Sequence, residues 1–276
     1  MKKILFTLAA LLLLVITGCG SNDEATTDST TVKVGTTTAE TPTWELVKEL
    51  ASEEGIEIEI IQFSDYVQPN VALDNGEIDL NAFQTISYFD SFIEERDLNL
   101  SAIGTTAIWP MGIYSDKVEA LSEIEDGAQV IVPKEPTNLG RALMLLQKAE
   151  LITLKEGFEG AGGLEAIVEN PKNLDIVPVT AGQTARGLQD ATAALINCDV
   201  AIAAGLNPTD DSIFREDDQN IPYINIIAAH TDRKDEEAFQ KIVEIYHSEE
   251  VTSFIEEEYK GAAVPVIRPI EEVTGE

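Results

Sequence analysis

Ile56, Ile58 and Ile60 alternate with Glu57 and Glu59, a period of two that predicts a half-exposed strand over 56–63. The same reading predicts strands at 32–36, where Gly35 and small hydroxyl residues end the run, at 78–82 and at 100–103. Between them the spacing turns helical. Helices are predicted at 45–52, starting near Thr41-Pro42, over a segment from Tyr66 to Leu73 that ends at Asn75-Gly76, and at 88–96. The order β-α-β-α-β-α-β predicts an α/β fold with a mainly parallel sheet.

Residues 108–115, IWPMGIYS, read as an extended crossing from a first lobe into a second, with Pro110 and Gly112 limiting their pairing. Residues 119–123 and 130–132 open the second lobe. The clearest unit there is GAQVIVPKEPTNLGRALMLL, 127–146. Ala128 to Val132 is a β-branched apolar run bounded by Gly127 and Pro133, hence a buried strand. Pro136-Thr137-Asn138 is turn and N-cap chemistry, and Leu143, Leu145, Leu146 and Ala149 then recur at near-helical spacing. A short helix at 165–168 stops at Asn170-Pro171, a strand follows at 174–178, a helix at 184–193 and a buried strand at 194–196 that runs into Asn197. A helix at 200–204 precedes an extended, apolar return crossing at 223–229, and amphipathic helices at 236–246 and 251–259 belong to the first lobe. The charged tail, 267–276, reads as loose.

Two lobes joined by two crossings put a cleft at the strand ends, where open α/β sheets bind ligands. The polar and aromatic residues that follow strands are Thr36 to Thr38, Tyr66, Phe83 to Thr85, Asn138 with Arg141, and Asn197. Arg141 is expected in the first turn of its helix, where a cation opposes the dipole. That placement points to a carboxylate-binding corner, since guanidinium takes a carboxylate through two parallel hydrogen bonds. The alternative is a solvated Arg141, or one paired to a nearby Asp or Glu. As a residue on the cleft surface it is expected to contribute little to the core, so that its truncation leaves the fold intact.

The 276 residues carry a net charge of −32, which argues against nucleic acid and against basic-patch adhesion to anionic lipid. Lys2 and Lys3 followed by the apolar stretch 4–16 predict a signal peptide over 1–18. Thr17-Gly18-Cys19 resembles a bacterial lipobox, with Cys19 as the lipidated residue and 19–31 as a flexible acidic linker. The mature protein is then tethered at the extracytoplasmic face of the cell membrane without spanning it. Cys198 is the one cysteine besides Cys19, so no disulfide forms within a mature chain. There is no HExxH, paired Cys/His spacing, GxSxG, Walker loop or GxGxxG. His230 and His247 read as solvated and Cys198 as a small buried residue. The expectation is a protein that is not an enzyme and holds no metal or cofactor.

DYVQPN (65–70), NAFQ (81–84), PTNLGRAL (136–143), VENPKNL (168–174) and PYINI (222–226), together with the lipobox, resemble the NlpA-type lipoproteins, methionine-binding partners of ABC importers. The resemblance runs from Val32 to about Val266. It implies a two-lobed, periplasmic-binding-protein-like (type II) α/β fold that closes over one amino acid. Lobe 1 would comprise 32–110 and 226–266, and lobe 2 111–225. It further implies that Arg141 binds the ligand carboxylate, with Asn138 in the same corner, and that Asn197 and Asn225 hold polar groups including the ammonium. Tyr66, Phe83 and Tyr88 would wall the side-chain pocket. The implied partners are a methionine-like amino acid, an ABC permease with its ATPase subunit, and the membrane through the lipid anchor, the protein itself being a monomer. Two positions depart from the pattern: Thr85 stands where His follows NxFQ, and Val200 where Tyr is usual. The departures leave open a different amino acid, a methionine derivative or a short peptide. An exported lipoprotein acting in adhesion on the same fold is the other alternative.

Overall fold

The computed structural model describes residues 30–160, 162–217 and 221–275, so the signal peptide, the lipobox and Cys19 lie outside the described residues. The chain runs β1 (Thr30–Thr37), α1 (Thr41–Glu53), β2 (Ile56–Phe63), α2 (Gln68–Asp74), β3 (Leu80–Thr85), α3 (Ile86–Arg96) and β4 (Leu100–Ile108). Trp109 to Met111 then leads into β5 (Gly112–Tyr114), β6 (Gln129–Pro133), α4 (Pro136–Lys148), β7 (Thr153–Leu154), β8 (Ile167–Glu169) and β9 (Asp175–Val179). Next come α5 (Thr184–Gly187), β10 (Ala193–Ile196), α6 (Cys198–Ala203) and β11 (Ser212–Arg215). The chain finishes with β12 (Ile224–His230), α7 (Glu237–Tyr246), α8 (Glu249–Tyr259), β13 (Val264–Pro265) and α9 (Glu271–Thr274).

These elements form two lobes. The first sheet has the order β13-β4-β12-β3-β1-β2, the second β11-β5-β10-β6-β9. Strand β1 pairs in parallel with both β2 and β3. The return segment is more than a crossing: β12 inserts between β3 and β4, antiparallel to both. It begins at Ile224, within the expected crossing but ahead of the lobe boundary expected at 226, and β1 begins at Thr30, inside the expected linker. Strand β2 lies at the edge of its sheet, with Ile56 and Ile58 buried and Glu57 and Glu59 exposed; charges along an open edge discourage pairing with other chains.

Helices α1, α7 and α8 cover one face of the first sheet, where the Trp44 and Tyr246 rings lie 5.4 Å apart among Val34, Ile58 and Phe239. The opposite face holds Leu73, Phe89, Leu100 and Ile226. Against that face pack Ile270 and Val273, so the tail is docked there and not loose, although Ile267 stays exposed.

Three other expectations change. Helix α4 starts at Pro136, with Glu135 as a cap whose side chain makes no capping bond, so Arg141 stands in the second turn. The helix expected over 184–193 ends at Gly187, where Asp190 and Ala191 both bond back to its carbonyl and turn the chain toward the β10–β6 pairing. The segment around 165–168 is a 3-10 turn, Leu164–Ala166, followed by β8, which pairs with β7. Within α4, Gly140 permits a close approach: a Cβ there would lie 1.9 Å from the carbonyl oxygen of Gly160. That contact explains a glycine inside a helix, where it is otherwise unfavourable by roughly 1 kcal/mol against alanine.

Candidate functional site

The ends of elements from both lobes meet around an inner cavity of about 30 Å³. The first lobe contributes Tyr66 from the turn after β2, Phe83 and Thr85 from β3, Tyr88 from α3 and Asn225 from β12. The second contributes Asn138 and Arg141 from α4 and Asn197 from the end of β10. All seven residues expected to contact ligand therefore surround one space. Thr85 lines it too, and its hydroxyl also caps α3 by accepting from the Tyr88 N–H at 3.2 Å. Val200 does not. It lines an outer cavity of about 280 Å³, bounded also by Thr37, Thr38, Phe63, Glu135 and Arg186.

Arg141 is only 3% exposed and already holds a carboxylate from its own chain. Its Nε donates to Glu216 Oε1 and Oε2 at 2.9 and 3.0 Å, and its Nη2 donates to Glu216 Oε2 at 2.6 Å and to the Trp109 carbonyl at 2.9 Å. The guanidinium also lies 4.3 Å from the Tyr223 ring centre, a cation–π contact. Burial opposes its charge, but the Glu216 carboxylate outweighs that and raises the pKa further. The intramolecular pairing corrects the picture of a free surface arginine. It leaves Nη1 as the guanidinium nitrogen with no hydrogen bond among the described residues.

The polar side chains opposite are buried with acceptors to spare. Asn197 Nδ2 donates to Asn138 Oδ1 at 3.2 Å, while Asn197 Oδ1 is enclosed and unpartnered. Glu40, close to Asn225, is 1% exposed and keeps one carboxylate oxygen without a partner. Burial, with the nearby Asp199 charge, pushes the Glu40 pKa well up. Tyr66, Phe83 and Tyr88 form one aromatic cluster, their ring centres 6.0 to 6.4 Å apart. Tyr88 donates its phenol to the Tyr66 carbonyl at 2.9 Å, which fixes the turn that carries Tyr66.

Sequence reasoning missed three residues here. Glu216 lies far along the chain from Arg141, and no local pattern marks the pair. Trp109 reaches the cavity from the first crossing. Asp199, next to the departure at Val200, lines the cavity. Cys198 is buried, donates to the Ala262 carbonyl at 3.3 Å, and burial raises its pKa, which suits an inert thiol. His247 is not solvated: its Nε2 lies 2.8 Å from the Thr105 carbonyl, and neither histidine lines these cavities. Among the described residues no group of three or more His, Cys, Asp or Glu is placed to hold a metal ion, and no helix is long and apolar enough to cross a membrane.

The NlpA lipoprotein family profile matches residues 32–267. The D-methionine-binding lipoprotein MetQ of Escherichia coli (strain K12) is 43% identical over 255 residues, covering 91% of this chain and 93% of its own. The uncharacterized lipoprotein YhcJ of Bacillus subtilis (strain 168) is 39% identical over 275 residues, 99% of this chain and 97% of its own. Among solved structures, a nutrient-binding protein from Burkholderia cenocepacia bound to methionine superposes with a TM-score of 0.83 at 41% identity, covering 86% of this chain and all of that one. Protein PG110 from Staphylococcus aureus superposes with a TM-score of 0.86 at 42% identity, covering 88% of this chain and 97% of that one.

Proposed function

The chain belongs to the NlpA lipoprotein family, and from that premise we propose that it is a lipid-anchored solute-binding protein that captures methionine or a closely related amino acid for an ABC importer. The observation that carries the reading is the convergence, around one cavity, of a guanidinium, enclosed amide groups and an aromatic wall from both lobes. Arg141 Nη1 with Asn138 suits a ligand carboxylate, and Asn197 Oδ1 with Asn225 suits an ammonium. Tyr66, Phe83 and Tyr88 suit a thioether, since sulfur packs favourably against aromatic rings. Lobe closure would bury the ligand and present the closed surface to the permease and its ATPase, a population shift driven by differential affinity. No covalent step is part of this role.

The test is native mass spectrometry of the purified protein followed by calorimetry with L-methionine, D-methionine and the other common amino acids. We expect a co-purified amino acid, methionine binding in the panel, and a ligand mass unchanged after incubation. Absence of binding across the whole panel would sink the proposal, and turnover would indicate an enzyme. The outer cavity beyond Val200 favours one second reading, a larger ligand such as a methionine derivative or a short peptide. Tighter binding of such a compound than of methionine would establish it.

Anchoring through Cys19, with the protein a monomer at the outer face of the membrane, is part of the same proposal. Cys19→Ala should move the protein from the detergent phase to the aqueous phase on cell fractionation. Retention in the detergent phase at the parental level would rule out the lipobox.

A further inference from the structure

One contact walls the inner cavity off from the outer one. Tyr66 of the first lobe donates its phenol to both carboxylate oxygens of Asp199 in the second, at 2.7 and 2.8 Å. Both side chains line both cavities. Asp199 is half-buried, sits in the first turn of α6 and forms no ion pair among the described residues. Of the two arginines that line these cavities, Arg141 is committed to Glu216, and Arg186 borders the outer cavity without an ion pair to Asp199 among the described residues. Glu40, a second buried acid near Asp199, brings no compensating charge. The cleft therefore holds a carboxylate whose hydrogen-bonding side-chain partner is a neutral phenol. Charge-assisted hydrogen bonds are roughly twice as strong as neutral ones. An ammonium placed here would be the stronger donor and would also neutralise the carboxylate.

We propose that Asp199 joins Asn197 and Asn225 as the charged acceptor for the ammonium group of the ligand, and that the Tyr66 phenol is a stand-in donor which the ligand displaces. The proposal rests on the amino-acid reading above and adds a specificity-determining residue to it. It also accounts for size. Small-molecule pockets span about 300–1,000 Å³, and the inner cavity is about 30 Å³. Breaking the Tyr66–Asp199 contact joins that space to the 280 Å³ beyond, with the Tyr66 ring still part of the wall. One exchange thus supplies both a counter-charge and room.

Two variants separate this from a plain structural latch. Calorimetry on the full-length protein in detergent compares the parent, Asp199→Asn and Tyr66→Phe, each with methionine and with 4-(methylthio)butanoate, which is methionine without its amino group. Asp199→Asn is expected to weaken methionine binding at least tenfold while leaving the amine-free analogue within about twofold. Tyr66→Phe, which keeps the ring against Phe83 and Tyr88 and removes only the hydroxyl, is expected to tighten methionine binding, because the competing donor is gone. A latch would make both variants weaken methionine together, and that result overturns the proposal even where the analogue binds too weakly to measure. Equal losses for both ligands in Asp199→Asn overturn it as well. A parent that binds neither methionine nor any other amino acid overturns the reading beneath it, and this inference with it.

Discussion

Arg141→Ala is expected to lower the free energy of unfolding by about 3–5 kcal/mol, the range for removing one partner of a buried ion pair. The loss comes from what remains. Among the described residues, Glu216 would keep its carboxylate with only the Met111 N–H, at 2.8 Å, in place of three arginine hydrogen bonds. The Glu216 side chain is 13% exposed, so water replaces little of what is lost. That retained N–H places the effect toward the lower end. Arg141→Ala with Glu216→Gln should recover part of the stability, because no unpaired charge is then left behind. Urea denaturation with the slope held common measures both variants; an unchanged midpoint for Arg141→Ala would show that the pair is held mainly by solvent. Wherever the variant is folded, methionine binding should weaken by about 2–5 kcal/mol if Nη1 holds the ligand carboxylate. The sequence alone suggested an arginine on the cleft surface whose truncation spares the fold, and the buried pairing reverses that expectation.

Asn70→Ala carries the next largest expected effect. Asn70 Oδ1 accepts from Asn81 Nδ2 at 2.8 Å and from Gln84 Nε2 at 2.7 Å, and Asn70 Nδ2 donates to Gln84 Oε1 at 2.7 Å. All three residues are buried. Each buried polar group left without its partner costs about 1–3 kcal/mol. The substitution orphans Gln84 Oε1 fully and weakens two donors that keep other, partial partners. The expected loss is about 2–4 kcal/mol on that scale, again read by urea denaturation. Gln84 lines the inner cavity, so ligand affinity should fall in the same variant. A midpoint within error of the parent would mean that water re-satisfies the amides.

That amide network shows which features were legible and which were not. DYVQPN and NAFQ stand out as motifs in the chain, but nothing local reveals that Asn70, Asn81 and Gln84 bond to one another. Their meaning is a contact between α2 and β3, mainly structural. Alternation marked β2, and the passage from β6 into α4 followed from a β-branched run meeting a proline and leucines at helical spacing. Tyr66, Phe83, Thr85, Asn138, Arg141 and Asn197 were reachable because strand ends in such sheets face one place, whereas Tyr88 and Asn225 came from the family resemblance. Glu216, Asp199 and the docking of Ile270 and Val273 were not reachable, because each depends on a partner distant in sequence. Short elements such as β5 and β11 hold too few residues for a period to emerge.

The position of β12 bears on the order in which the polypeptide acquires its shape. Strands β5, β6, β9, β10 and β11 all fall within 112–215, so the second sheet has every strand it needs once that stretch is made. The first sheet does not. Strands β3 and β4 are made early, yet the strand between them is absent until Ile224–His230 emerges. Until then their facing edges are unpaired, the condition that invites association between nascent chains. A chain that crosses a membrane from its N-terminus would thus present an unfinished sheet for most of its passage, and the inserted lobe would mature ahead of the lobe that encloses it.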